Sequence, residues 1–421
     1  MTLRVREATD ADLPAMRRLG WEAFAPPVTV QDCENAPAPP VSDSRVVLAH
    51  RGTQMGEELV GKAVDLALTS WYGGRPVETS GVAGVAIAAE HRGRGVLEPL
   101  LDRLLTGARA RGAVISTLYP TAPGIYRRFG YEVIGSYQNV QVPTWTLPRA
   151  ARRMAELSAP QPLTAPARLR RAVDADWPRI QACHQAWATD TTGALSRVGP
   201  RFAGSLADLA RDVTAVTVAE DPDDPAGPLA GYCCWARVGG YREQGAVEVS
   251  DLIATGVAGR SALLAMLGSH EPTARVTRFL AGSGADLPWL LGDDVITVVS
   301  ATPYMLAILD VPQALAARGF PRCVAGTAEL TVSGPAPVGV PGRYRLTWSD
   351  GRAYVEGISP APADVVADTW VTAGGLALWY AGTLRSAALR RLGLLGGDGG
   401  PDELLDTAFG AVGPVGVRDY F

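Results

Sequence analysis

Apolar and polar positions change rhythm several times along the chain, and the clearest change falls near residue 90. Val85, Ala86 and Ile87 form a short apolar run, preceded by Gly84 and followed by the basic, glycine-rich stretch Arg92-Gly93-Arg94-Gly95. Directly after it, Val96, Leu97, Leu100, Leu101, Leu104 and Leu105 recur at helical spacing. The pattern predicts a strand, a tight turn and a helix that buries one face. Pro99 sits within the first helical turn, where its missing N–H would have no intrahelical partner. Glycine lets the backbone turn sharply and approach a ligand closely, and the first N–H groups of the helix point outward at it. With Arg92 and Arg94 beside that positive helix end, the stretch has the chemistry of a diphosphate cradle. A solvated strand-to-helix turn has the same composition, so the motif alone leaves both readings open.

A second pattern is internal. Leu3 to Met16 can be laid over Ala167 to Ile180, with Arg-Glu-Ala-Thr-Asp-Ala-Asp-Leu-Pro against Arg-Arg-Ala-Val-Asp-Ala-Asp-Trp-Pro. Each segment predicts a short strand, then an aspartate whose carboxylate can cap the helix that Pro14 or Pro178 begins. Two copies of one α/β unit follow from this. Between them, Val142 to Ala167 carries Pro143, Pro148, Pro160, Pro162 and Pro166, which suits a connecting arm along the surface. In the second copy the place of the glycine turn falls on Val247 to Arg260, where one late arginine remains. That copy is expected to keep the scaffold without the diphosphate site.

From about Tyr304 the texture changes again. Met305 to Pro312 leads into a short helix, Gln313 to Phe320, expected to be closed by Gly319. Ala328 to Val332, Arg343 to Trp348 and Ala353 to Glu356 are β-rich, with Ser349-Asp350-Gly351 as a hairpin turn. Helices are expected around Thr372 to Leu395 and Pro401 to Phe409, and Val412 to Phe421 is apolar enough to dock rather than fray.

A chain of 421 residues is too long for one ordinary core. Hydrophobic residues make up 47% and charged ones 19%, ordinary for a folded globular protein. With 39 basic against 43 acidic residues and a net charge of −4, nothing attracts nucleic acid or an anionic membrane globally. The start is charged and no long uncharged apolar run occurs, so a cytoplasmic location is expected. Five cysteines and four histidines form no metal-ligand spacing, so no metal is expected.

Arg92-Gly93-Arg94-Gly95 after the Val85-Ala86-Ile87 strand resembles the coenzyme A pyrophosphate loop of GNAT acyltransferases. Gly124-Ile125-Tyr126-Arg127-Arg128-Phe129-Gly130-Tyr131, further along, is similar to their second signature. With the duplicated unit, the strand-rich third region and an aromatic end at Phe421, the chain resembles the Eis family of N-acetyltransferases over essentially its whole length. The resemblance implies an α/β (α+β) fold: a catalytic GNAT domain at 1–145, a degenerate GNAT-like domain with its linker arm at 146–303, and a sterol-carrier-like domain at 304–421. It implies assembly as homohexamers. It also implies transfer of acetyl from acetyl-CoA to an amine, commonly of an aminoglycoside, in some members of a peptide antibiotic or a lysine side chain.

Carried over by motif, Val85, Ala86 and Ile87 would hold the pantetheine arm, and the diphosphate would lie on Gly93, Arg94, Gly95, Val96, Leu97 and Glu98 beside Arg92. Leu97 stands where many such loops place glycine or alanine. Thr121 and Ala122 fall in the second coenzyme-contacting stretch, where the family often has a polar or acidic residue at the place of Ala122. Tyr126 would be the general acid, a phenol with an ordinary pKa near about 10 that stays protonated at neutral pH. Phe129 and Tyr131 read as core. The resemblance assigns the base to the α-carboxylate of Phe421; with a free pKa of roughly 3.5, that group needs desolvation or a bridging water. A cationic acceptor calls for an acidic cleft, to which Asp419 would contribute, with Asp32, Glu34 and Asp43 as weaker candidates. Trp21 and Phe24 remain as acceptor-side aromatics. Pro26-Pro27, Gly84 and Tyr420 depart from the aminoglycoside-modifying pattern and point to a different or narrower amine. A reading from another class is carriage of an apolar ligand by the third domain, with Leu376, Leu378, Trp379 and Tyr380 lining its pocket.

Overall fold

The computed structural model describes residues 3–24, 44–53, 56–157, 167–282, 287–335, 340–358, 369–410 and 415–421. Asp32, Glu34, Asp43 and Pro26-Pro27 lie outside them. The first half supplies β1 (Leu3–Glu7), β2 (Ser44–Thr53), β3 (Gly56–Tyr72), β4 (Arg75–Ile87), β5 (Ile115–Leu118) and β6 (Glu132–Pro143). The second supplies β7 (Arg168–Arg171), β8 (Ala215–Glu220), β9 (Leu229–Val238), β10 (Arg242–Ala254), β11 (Ala274–Gly282) and β12 (Thr297–Ile308).

All twelve join one sheet in the order β1-β2-β3-β4-β5-β12-β6-β11-β10-β9-β8-β7. Exchanging the first six strands with the second six reverses this order onto itself, so the halves are related by a pseudo-twofold axis between β6 and β12. The last strands are traded. β12 completes the first half against β5, from Met305↔Leu118 to Ile308↔Ile115. β6 completes the second half against β11, from Val276↔Pro143 to Gly282↔Tyr137. Neither half closes its own sheet, because an unfilled gap would leave two rows of backbone polar groups unpaired. β12 runs unbroken through the boundary expected at 303/304.

The duplication is visible at atomic level. Before α1 (Leu13–Phe24), Asp12 accepts two hydrogen bonds from Arg6 at 2.8 and 2.7 Å and one from the Thr9 N–H at 2.8 Å. In the second half, Asp176 takes Arg170 at 2.6 and 2.8 Å and the Val173 N–H at 2.9 Å. The second aspartate of each Asp-Ala-Asp therefore does the capping, reaching back over a 3₁₀ turn. The predicted helix after the glycine turn is α2 (Leu97–Ala110); its Leu100, Leu101, Leu104 and Leu105 are buried, each worth about 2 kcal/mol. A short α3 (Pro123–Arg127) carries the second signature.

The connecting arm is only partly an arm. α4 (Thr146–Leu157) buries Leu147, Ala150, Ala151 and Met154 in the second half's core with Leu263, Leu264 and Leu267. Pro148 fits there because the third residue of a helix has no intrahelical N–H partner. α5 (Trp177–Thr189) repeats α1, and α6 (Val257–Gly268) follows β10 after only Thr255 and Gly256. In the first half residues 88–96 fill the same connection, so the second copy lacks the loop that would form a cradle.

The third domain begins with α7 (Val311–Ala317), capped by Asp310, which also takes Arg109 at 2.8 Å. Its five-stranded sheet includes the expected hairpin, with Asp350 and Gly351 at φ +50 and +76. Gly319 does not close α7 in a left-handed cap. It is glycine because its backbone presses on Gly73, whose carbonyl oxygen would stand 2.0 Å from an added Cβ. α8 (Ala373–Tyr380) and α9 (Asp402–Phe409) both end at Arg318, fully buried, which donates to the carbonyls of Trp379, Tyr380 and Phe409. A cation at two helix C-termini offsets their negative ends without a carboxylate partner. Leu376, Leu378, Trp379 and Tyr380 are packed core, continuous with Tyr72, Ile134 and Tyr304 of the large sheet. All four are buried, and the ring of Trp379 stacks on Phe409 at 5.9 Å.

Candidate active site

β4 and β5 run parallel from Thr79↔Ile115 to Val82↔Leu118, and their pairing ends there. Beyond it, Ala83 to Ile87 stays on β3 alone, past an irregularity at Gly84, whose φ of +53 explains the glycine. The sheet therefore opens a wedge along the backbone of Val85, Ala86 and Ile87, where N–H and C=O groups can take a ligand in strand fashion. Ala86 is buried against Leu19 of α1, while Val85 and Ile87 join the cluster that holds Tyr126.

At the mouth of the wedge lies a cavity of about 430 Å³ lined by Arg92, Gly93, Gly95, Leu97, Glu98 and Arg128, among others. Gly93 and Gly95 both sit at φ +71, and nothing lies within 4 Å of where a Cβ would stand. Their glycines serve the backbone turn and the open space above it, which is what a bound diphosphate requires. Arg92 donates through Nε to the Ile87 carbonyl at 3.3 Å, folding the turn back on the strand. The Arg94 side chain is exposed and outside the cavity, and its carbonyl is held by Arg51 at 3.2 Å. Val96 is buried in the core and also borders the cavity. Arg128, Ile125 and Phe129 of the second signature complete the cavity wall. Their sequence signal was the paired Arg127-Arg128. Thr121 is exposed and Ala122 stands at the N-cap of α3. The residues present fit coenzyme A: a glycine turn at a helix N-terminus, two arginines, apolar walls and a strand edge.

Tyr126 projects from α3 into the first half's core, buried, with its ring 6.0 Å from that of Tyr131. Burial raises its pKa, so the phenol keeps its proton at neutral pH. The Tyr131 hydroxyl shares a hydrogen bond with Ser116 at 2.6 Å.

The last residues of the third domain lie across this face. The Phe421 ring packs against the cluster of Leu66, Leu68 and Leu195, and a Cβ on Gly81 would stand 3.0 Å from it. Tyr119, just after β5, touches the rings of Tyr420 and Phe421 at centroid distances of 4.6 and 5.3 Å. Phe421 therefore meets β4 at Gly81, four residues before Val85, whose cluster contains Tyr126. Sequence inspection missed Tyr119, Leu195 and Arg197, which come from other elements and carry no motif.

One acceptor-side expectation changes. Asp419 is bound by Arg197 Nε at 2.8 Å, and burial pushes its carboxyl up against that pull, so it is a half of an ion pair rather than an open anion. Leu19 faces the coenzyme strand, whereas Trp21 is half-buried and Phe24 exposed. The sequence contains one lysine, Lys62. It pairs with Ala86 across β3 and β4, and its Nζ would stand 2.7 Å from a Cβ at Gly20 of α1. Burial pushes its ammonium down. Its solitude in the composition was the available signal.

The family described as acetyltransferase (GNAT) domain matches twice, over residues 4–134 and 193–308, and a sterol carrier protein domain matches residues 311–415. The chain is 30% identical over 268 residues to an uncharacterized N-acetyltransferase of Streptomyces coelicolor, spanning 59% of that relative's length and 59% of its own. It is 25% identical over 415 residues to the N-acetyltransferase Eis of Mycobacterium tuberculosis, covering 92% of each chain. The crystal structure of a GCN5-related N-acetyltransferase from Kribbella flavida matches the whole of both chains with a TM-score of 0.75 and 27% identity. Fold and site define a tandem GNAT protein with a sterol-carrier-like third domain. Its arrangement from end to end is that of one group in particular: the chain belongs to the Eis family of GNAT N-acetyltransferases.

Proposed function

We propose that this protein transfers acetyl from acetyl-CoA to a primary amine of a cationic small molecule, aminoglycoside-like or a peptide antibiotic, with lysine side chains as further acceptors. The observation that carries it is the seating of Phe421 on Gly81, just before the open edge of β4, with Tyr126 in the cluster of Val85. Acetyl-CoA, as co-substrate, supplies the activated acetyl group. Val85 to Ile87 hold its arm, and the Gly93–Glu98 turn with Arg92 and Arg128 holds its diphosphate. Tyr126 gives its proton to the departing thiolate. The α-carboxylate of Phe421 takes a proton from the incoming amine, either directly or through a water, in direct transfer without a covalent enzyme intermediate. The packed core around Trp379 and Tyr380 argues against the alternative of a lipid-carrying third domain.

Thiol release from acetyl-CoA across a panel of aminoglycosides, polyamines and cationic peptides tests the reading. Release dependent on an amine supports it, and none with any amine overturns it. Adding residues beyond Phe421 should abolish turnover while coenzyme binding persists. Tyr126→Phe should lower kcat more than acetyl-CoA affinity. A homohexamer is the expected assembly, checked by light scattering.

A further inference from the structure

The pseudo-twofold axis maps the first half's acceptor side onto a second cleft. With Asp12 laid on Asp176, Gly20 falls on His184; with the Gly61↔Ile87 pair laid on Gly231↔Ala254, Lys62 falls on Tyr232. At that place lies a cavity of about 640 Å³ between α5, β9, β10 and the tail residues Arg418 and Asp419. This volume is within the ordinary range of ligand pockets. Lacking the glycine turn, the second half retained the hollow and changed its lining.

The lining is built. Tyr232 donates to Asp251 at 2.8 Å, and Arg197 bridges Asp251 and Asp419. Arg197 holds this bridge from φ +47, a left-handed conformation that costs a non-glycine residue energy and is kept where surroundings enforce it. Those charges satisfy one another. Arg418 is different. Its guanidinium lies over the Trp187 ring at 5.2 Å and donates to the Leu280 carbonyl at 3.3 Å. Among the described residues it has no carboxylate within 4 Å, although five donors need partners. His184 Nε2 is buried there without a hydrogen-bond partner. Apolar walls from Trp177, Ile180, Phe202 and Leu209 close the other side.

An enclosed guanidinium with spare donors beside an aromatic and aliphatic wall fits a carboxylate on an apolar body. We propose that the second half binds a small monocarboxylate, its head on Arg418 and its body against Trp177, Ile180 and Phe202. The site is separate from the coenzyme site and stands independently of the proposed acetyl transfer.

Calorimetric titration of the full chain with 4-phenylbutyrate, 4-phenylbutylamine and inorganic phosphate tests this, each run with and without saturating coenzyme A. Saturable binding of the carboxylate alone, undisturbed by coenzyme A, is expected. Arg418→Gln should weaken it at least about tenfold, and Leu209→Trp, which fills the cavity without touching the guanidinium, should abolish it. Displacement by coenzyme A, equal binding of the amine or of phosphate, no saturation at millimolar carboxylate, or undiminished binding in Leu209→Trp overturns the proposal.

Discussion

Tyr119 donates its hydroxyl to the backbone carbonyl of Asp419 at 2.6 Å, tying the strand end at the centre of the first half to the tail of the third domain. The bond lies at the wedge where β4 and β5 part, so the same residue that borders the coenzyme cleft also fixes the direction of Phe421.

Tyr119→Phe keeps the ring contacts with Tyr420 and Phe421 and removes only the bond, a net loss of about 1 kcal/mol. Turnover is expected to fall about fivefold, with acetyl-CoA affinity unchanged. Steady-state kinetics beside a coenzyme titration checks this; an equal fall in both would show that Tyr119 supports the fold in general.

Gly93→Ala and Gly95→Ala each force a side chain into φ +71, at a cost of about 1 to 2 kcal/mol, in space that is otherwise open. Coenzyme affinity should drop about tenfold in each. Gly124→Ala, in α3 with open space and no positive φ, should leave it intact. Calorimetric titration with coenzyme A distinguishes the three.

Lys62 places a cation on the α1 face beside Ala86. Its positive charge opposes a polycationic acceptor more than a monocation. Lys62→Met should lower KM for polyamines about fivefold and change KM for a monoamine less. Unchanged KM for both would place Lys62 outside the acceptor's path.

Arg318→Met leaves the carbonyls of Trp379, Tyr380 and Phe409 without their donor in a dry core. The expected loss is about 3 kcal/mol, seen as a lowered Tm in calorimetry. Arg318→Lys should recover only part, because one ammonium cannot span two helix ends.

His184 is buried, and burial pushes its pKa down to about 4. In the unfolded chain it titrates near about 6.5, so between those values the unfolded state binds more protons. Its contribution is complete above about pH 6.5 and is lost as pH falls toward 4, up to about 3 kcal/mol. Denaturant titrations across this window should flatten in His184→Leu; an unchanged slope would assign the acid sensitivity to other groups.

The duplicated start was legible because its signal is local: an arginine, an aspartate six residues on, and a proline that begins a helix, repeated in Arg6-Asp12-Pro14 and Arg170-Asp176-Pro178. The glycine turn was legible for the same reason, since Gly93 and Gly95 answer a backbone demand at their own positions. Lys62 and Arg418 were not, because an isolated basic residue looks the same on a solvated face as in a cleft.

Local pattern was enough for most elements, the aspartate caps of the two copies, the coenzyme turn and the two-copy plan, all set by contacts between neighbours a few residues apart, though it missed the helix Thr146–Leu157 and misassigned Gly319. Which strand fills which gap was settled by long-range pairing. β6 and β12 satisfy the same backbone groups in either half, so local pattern cannot choose between a closed and a traded arrangement. Long-range pairing also decided that Asp419 meets Arg197 and that Phe421 meets Gly81, pairings between domains that exist only once the sheet has brought distant segments onto one face.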